Sequence, residues 1–266
     1  MFKKYWKFFV IFWSVVLVGI IGVFVFFWLI SAGKLGFMPT FEELENPNNR
    51  FASEVYFADG PIMNRYFEKE NRKYIEYREI PQSVIDALIA TEDVRFYDHS
   101  GVDVRGLFRV AKGLLTANTS AGGGSTISQQ LAKMLFPRES DLNVFELAIR
   151  KFREWVIAVR LEKSYTKEEI LTMYLNKYDF LNLAVGISSA ADIYFQVPLD
   201  SLKVEQAAML IGMAKNSSYY NPVRRPELTL NRRNVVLSQM YKYDKITREE
   251  CDSLKKLPLG LNFKRV

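Results

Sequence analysis

The stretch from Ala90 to Asp103 concentrates groups able to move protons. It holds Glu92, Asp93, Asp98 and Asp103, the only histidine of the chain (His99), the aromatics Phe96 and Tyr97, and a glycine, Gly101. Upstream, Val84, Ile85, Leu88 and Ile89 fall at helical spacing, which predicts a helix from Pro81 to about Ile89. Glu92 and Asp93 then sit at its C-terminal end, where the helix dipole disfavours negative charge. Such a pair is either a well-solvated helix end or a carboxylate kept for proton transfer. No second histidine and no cysteine pair accompanies His99, so a metal centre built on it is not expected. It reads as a lock on the turn after Phe96.

Four further clusters follow. Gly122-Gly123-Gly124 precedes Ser125-Thr126-Ile127-Ser128-Gln129-Gln130 and Lys133. Backbone N–H groups at a helix start suit an anion, and paired glutamines suit sugar hydroxyls. A flexible loop and a solvated helix face explain the same residues. No Gly-Lys-Ser/Thr follows, so this is not a nucleotide-binding P-loop. Arg150, Lys151 and Glu154 lie three and four residues apart and share a helix face, as an ordinary salt-bridged helix would arrange them. Lys167-Glu168-Glu169-Ile170-Leu171 leads into Tyr174-Leu175-Asn176, and Arg232-Arg233 leads into Val236-Leu237.

Taken in order, these clusters resemble the motifs of the peptidoglycan glycosyltransferases, glycosyltransferase family 51, the polymerase module of class A penicillin-binding proteins. The matches are Glu92-Asp93-x-x-Phe96-x-x-His99-x-Gly101, Gly123-x-Ser125-Thr126-x-x-Gln129-Gln130, Arg150-Lys151-x-x-Glu154, Ile170-Leu171-x-x-Tyr174-Leu175-Asn176 and Arg232-Arg233-x-x-Val236-Leu237. The resemblance runs from about Phe51 to Leu237. It implies a mainly α, lysozyme-like fold and a lipid II substrate. The acceptor sugar's 4-hydroxyl attacks the anomeric carbon of the lipid-linked donor with inversion, and undecaprenyl diphosphate leaves.

By family position Glu92 is the general base, with Asp93 tuning it by like-charge repulsion, and Glu154 is a second acid near the donor diphosphate. The leaving group is already anionic, so it needs cations rather than a proton donor. Lys133, Arg150 and Lys151 are the residues expected to hold it, with Ser125, Thr126, Gln129 and Gln130 lining the cleft. Phe96, His99 and Gly101 support the turn. No cofactor is required by the sequence, and no metal site is assigned, though a Mg or Mn ion at the diphosphate is left open. Val104 to Gly124 matches the family's mobile, partly membrane-embedded segment, with Leu107, Phe108, Leu114 and Leu115 divided between that role and core. Besides lipid II and the nascent glycan strand, the implied partners are the membrane and other cell-wall synthesis proteins.

These groups need elements to hold them. Phe8 to Gly33 is an uncharged run of 26 residues, enough to cross a hydrocarbon layer of about 30 Å as a helix. Lys3, Lys4 and Lys7 precede it, and Glu42, Glu43 and Glu45 follow Lys34. The positive-inside rule puts the N-terminus in the cytoplasm and the rest on the outer side of a bacterial inner membrane. The net charge of +6 suits anionic headgroups or a phosphate-bearing lipid. Nucleic acid, the other common partner of a basic chain, is not expected with this topology. Cys251 is the single cysteine, so no internal disulfide forms.

Residues 1–34 are expected to be tail and span, and 35–80 a linker with a small β element. Within it, Val55 to Phe57 turns through Asp59-Gly60 into Ile62 to Phe67, with a third strand at Tyr74 to Tyr77. Residues 81–245 form the helical catalytic domain, with Asp103, Ser125 or Thr126, Asp141, Thr166 and Thr247 as helix caps and Pro226 in a first turn. Residues 246–266 are expected to begin a linker toward a transpeptidase domain. The chain departs from the family pattern at Met134, Thr172, Asp179, Leu181 and Gln196, the last two standing where glycine is usual; Arg138 is the only candidate for a further family arginine. A glycan hydrolase or lytic transglycosylase of similar fold, and an inactive scaffold that binds lipid II and recruits cell-wall partners, are the competing readings.

Overall fold

A computed structural model describes residues 2–36, 38–40, 53–56, 62–66, 71–116, 123–135 and 143–264. The Asp59-Gly60 turn, Gly122, Arg138 and Asp141 lie outside them. The first helix, α1 (Phe2–Ser31), is the expected apolar run. Within Tyr5–Ser31 an 18-residue window has a mean hydropathy of 2.8, and the helix is long and apolar enough to cross a membrane. Two strands follow, β1 (Ser53–Tyr56) and β2 (Ile62–Tyr66), paired antiparallel with Ser53 opposite Tyr66. The third strand is not at Tyr74 to Tyr77. It is β3 (Asn71–Arg72), and Tyr77–Glu79 forms a 3-10 turn. β3 runs parallel to β4 (Ala184–Val185), and Asn176 clamps Ile75 by its N–H and its carbonyl, at 3.0 and 2.9 Å. The end of the expected linker is therefore part of the main domain.

The domain is two groups of helices sharing one core. In the first, α2 (Gln82–Glu92) packs on α8 (Val204–Met213) and α9 (Pro226–Lys242). In the second, α4 (Ile127–Leu135) packs on α5 (Val144–Ser164) and α6 (Lys167–Lys177). Between them in sequence run α3 (Val104–Leu115) and α7 (Ile187–Phe195). Leu88, Phe96, Leu131, Leu161, Tyr174 and Met209 join both groups in one hydrophobic cluster. The mainly α class is as expected.

Helix starts follow capping chemistry. Thr166 and Thr247 close capping boxes with Glu169 and Glu250, and Pro226 takes the first turn of α9. Asp103 accepts from the Gly106 N–H at 2.9 Å. The long helix α5 opens at Asn143, boxed with Glu146, rather than at Asp141. On α3, Phe108 is exposed and Leu107 half-buried.

The C-terminal segment, expected as linker, is packed. Helix α10 (Arg248–Lys256) buries Cys251 against α9. Arg233, fully buried, donates to the carbonyls of Lys255, Leu257 and Pro258. Asn262 and Lys264 donate backbone N–H groups to Tyr194 and Ile193 of α7.

Two of the departures from the family pattern, Leu181 and Gln196, fall at positive φ. Leu181, Asn182 and Leu183 have φ of 65, 54 and 66°, and Gln196 has 57°. Side chains other than glycine adopt this region at a cost. Asp179, itself a departure, compensates by accepting the Leu181 N–H at 2.8 Å. The Leu181→Gly/Leu183→Gly double variant is expected to raise stability by roughly 1 kcal/mol, relieved strain exceeding the added chain entropy. Thermal unfolding checks this; a lower melting temperature would mean the loop is not strained.

Candidate active site

Glu92 closes α2 at the junction of the two helix groups. Its Oε2 accepts from Gln130 Nε2 at 3.0 Å, and its Oε1 faces Arg232 Nη2 at 3.3 Å. Gln130 is on α4 and Arg232 on α9, so the carboxylate is held from both sides. It sits in the wall of a cleft of about 980 Å³ that also presents Ser125, Lys133, Lys177, Lys215 and Arg232. Asp179 lines the same cleft, its Oδ1 accepting the Leu181 N–H, and Glu92 faces the basic groups, an arrangement suited to proton acceptance beside a departing anion.

The neighbouring Asp93 also holds backbone and side chain together. Buried at the end of α2, it accepts from His99 Nε2 at 3.0 Å and from the Ile127 N–H at 3.0 Å. The Ile127 contact sets a negative charge on the N-terminus of α4, where the helix dipole favours it. Thr126 caps the same helix through the Gln129 N–H, and its hydroxyl donates to the Gly101 carbonyl at 2.6 Å. Gln129 is buried and reaches the same carbonyl at 3.4 Å, so it does not line the cleft. Phe96 is fully buried, with Lys167 Nζ 4.3 Å from its ring centre and 2.6 Å from the His99 carbonyl. Asp93, Phe96, His99, Gly101, Thr126 and Gln129 thus tie the 93–103 turn to α4. That knot delivers Glu92, Ser125 and Gln130 to the cleft.

Glu154 stands behind the cleft rather than in its wall. It pairs with Lys151 Nζ at 2.7 Å, and the same ammonium donates to Ser125 Oγ at 2.9 Å. Glu154 therefore orients Lys151 toward a residue that does line the cleft. Arg150, half-buried one residue earlier, is not part of the cleft wall. Lys133 is exposed there. Among the described residues, no three His, Cys, Asp or Glu side chains gather as metal ligands.

Two residues without an assigned role from sequence enter the site. Arg232 belongs to the fifth motif, but an Arg-Arg pair does not announce which member faces a cleft; here Arg232 does, while Arg233 serves the C-terminal carbonyls. Tyr174 is buried under Gln130 and donates to its Oε1 at 3.0 Å. Burial pushes its hydroxyl well above the ordinary tyrosine range, and the Glu92 charge adds to this. Tyr178, stacked on Tyr174 at 5.9 Å, is pushed up to about 12, chiefly by burial.

The anchor joins the site through α5. Phe26 and Phe27 set their rings against Phe152 at 5.4 and 5.7 Å. Arg160 donates to the Ser31 carbonyl and hydroxyl, both at 2.8 Å, and to the Pro39 carbonyl at 3.1 Å.

The chain belongs to the transglycosylase family, whose model matches residues 59–241. This is the family that the ordered motifs predict. Among curated proteins it is 36% identical over 226 residues to penicillin-binding protein 1A of Escherichia coli, covering 85% of this chain and 26% of that protein. It is 35% identical to penicillin-binding protein 1A of Pseudomonas aeruginosa, over 85% of this chain and 27% of that one. The chain thus spans about a quarter of the length of these curated relatives. A crystal structure of penicillin-binding protein 1A from Haemophilus influenzae aligns with a TM-score of 0.46 at 23% identity, over 81% of this chain and 22% of that one.

Proposed function

We propose that this chain is a peptidoglycan glycosyltransferase that polymerises lipid II at the outer face of a bacterial inner membrane. The observation that carries the reading is Glu92, held by Gln130 and Arg232 in a cleft wall that also presents Lys133, Lys177 and Lys215; the other carboxylate of that wall, Asp179, accepts the Leu181 N–H. Glu92 takes the proton of the acceptor's 4-hydroxyl as that oxygen bonds to the anomeric carbon of the donor. The bond from that carbon to the diphosphate oxygen breaks from the opposite face, so the configuration inverts. Lys133 and Lys151 meet the charge of the departing undecaprenyl diphosphate, Lys151 being held in place by Glu154 and Ser125.

A Mg or Mn ion beside Lys151 would meet Glu154, which is already paired. The residues suit a cationic cradle better than a cation-binding one, and no step here runs through a metal. With α1 in the membrane and its lysines inward, the cleft faces the side where a lipid-linked sugar is polymerised. The nascent glycan strand and other cell-wall synthesis proteins are the partners this reading implies.

A glycan hydrolase needs two carboxyl groups flanking the scissile bond. Glu154 is turned to Lys151 outside the cleft wall, and Asp179, the other carboxylate of the wall, is engaged by the Leu181 N–H, which favours the transferase. Purified protein in detergent with labelled lipid II tests the reading. Formation of long glycan is expected. Shortening of preformed glycan without polymerisation would replace the reading with a hydrolase, and binding without turnover would replace it with a scaffold.

A further inference from the structure

We propose that Tyr174 is a positioning residue for Glu92, acting through the Gln130 amide, and that this amide reverses when Glu92 takes up its proton. The inference rests on the reading of Glu92 as the base. As an anion, Glu92 accepts from donors at both oxygens, Arg232 at one and Gln130 Nε2 at the other. Gln130 can present its NH2 only because its other end, Oε1, is engaged by the Tyr174 hydroxyl at 3.0 Å. Tyr174 is 1% exposed and cannot trade that bond for water. Its hydroxyl, neutral at pH 7 even in water, is held well above its ordinary range by burial.

Proton uptake changes what Glu92 needs. Arginine has no acceptor, so the proton cannot rest between Glu92 and Arg232. It rests on Oε2, the oxygen that Gln130 also meets, and an O–H turned from the acceptor sugar toward Gln130 would oppose the N–H. Turning the amide end for end removes the conflict: Oε1 accepts from the new Glu92 O–H, and Nε2 donates to the Tyr174 oxygen. A hydroxyl both donates and accepts, so Tyr174 serves either orientation. A phenyl ring in its place serves neither. No bond other than the acceptor's O–H is broken in this exchange, and the proton passes only from that hydroxyl to Glu92.

The test is steady-state polymerisation of labelled lipid II by the full chain. Wild type, Tyr174→Phe, Gln130→Met, their double variant and Glu92→Gln are compared, each with its melting temperature. Tyr174→Phe is expected to lower kcat about tenfold, the scale of one hydrogen bond, with KM changed less than twofold. The double variant is expected to be no slower than Gln130→Met, since the two residues act as a unit. Losses that multiply, or a Tyr174→Phe protein with wild-type kcat, would overturn the proposal. If Tyr174→Phe does not fold, Gln130→Met alone decides: a lower kcat at constant KM supports the relay, and an unchanged kcat overturns it. An active Glu92→Gln protein would show that the base is elsewhere. An inactive one beside a wild-type-like Tyr174→Phe would sink the relay alone.

Discussion

Glu92→Gln is expected to abolish polymerisation while leaving the fold intact. Glutamine has nearly the shape of glutamate and keeps one oxygen for Arg232. Its new NH2 group meets Gln130, whose amide can turn to accept it. What is lost is the ability to take a proton from the acceptor hydroxyl. A positioned general base contributes about 10²–10⁴ in rate, so product should fall by at least about 10²-fold. Turnover of labelled lipid II gives the first number, and thermal unfolding guards against misfolding. A variant within tenfold of wild type would remove Glu92 from the mechanism, and the basic surface around it would have to serve another carboxylate.

Gly101→Ala should carry the largest loss of stability of the glycine-to-alanine changes among the described residues. Gly101 has a φ of +94°, and a Cβ there would lie 2.7 Å from the Ala158 carbonyl carbon and 2.8 Å from the Val159 nitrogen. Those atoms are the backbone of α5 and cannot rotate aside as a side chain would. The Gly101 carbonyl is also the acceptor for Thr126 and Gln129, so a shift of the turn would loosen the cap on α4. The strain of the backbone and the overlap together are expected to cost roughly 3 kcal/mol or more. Gly260→Ala separates the two contributions, because Gly260 has a φ of +63° with nothing near its absent Cβ. Its loss should stop at about 1 kcal/mol. Equal losses in the two variants would mean that the close approach to α5 does not matter.

Local chemistry was legible from sequence where it depends on neighbours in the chain. Thr166 with Glu169, Thr247 with Glu250, and Pro226 start the helices they were expected to start. At α5 the expected cap was Asp141, although Asn143 with Glu146 carries the same boxed spacing and Asp141 has Val144 three residues on. The site divides the same way. Glu92, Ser125, Gln130 and Lys133 reach the cleft, but Asp93, Thr126 and Gln129, drawn from the same motifs, turn inward and hold the backbone together. A motif records that a residue type is needed, and does not separate touching a substrate from holding the residue that does. Arg232 and Arg233 make the point most sharply, since adjacent identical side chains end in a cleft wall and in a cage of carbonyls. The glycine positions filled by Leu181 and Gln196 became intelligible only with their φ angles in hand.

The bond between Arg160 and the end of α1 has a consequence for distance. Were the anchor a slack tether, the cleft would wander over a range of heights above the lipid, and a lipid-linked sugar would meet it at varying depth. Here the last turn of α1 is bolted to the helix that carries Lys151 and Glu154. With α1 in a membrane, as proposed, it would work as a ruler, with the cleft's elevation set by helix register. Shifting that register by one residue would move the cleft by about 1.5 Å, a step comparable to half a hydrogen bond's length.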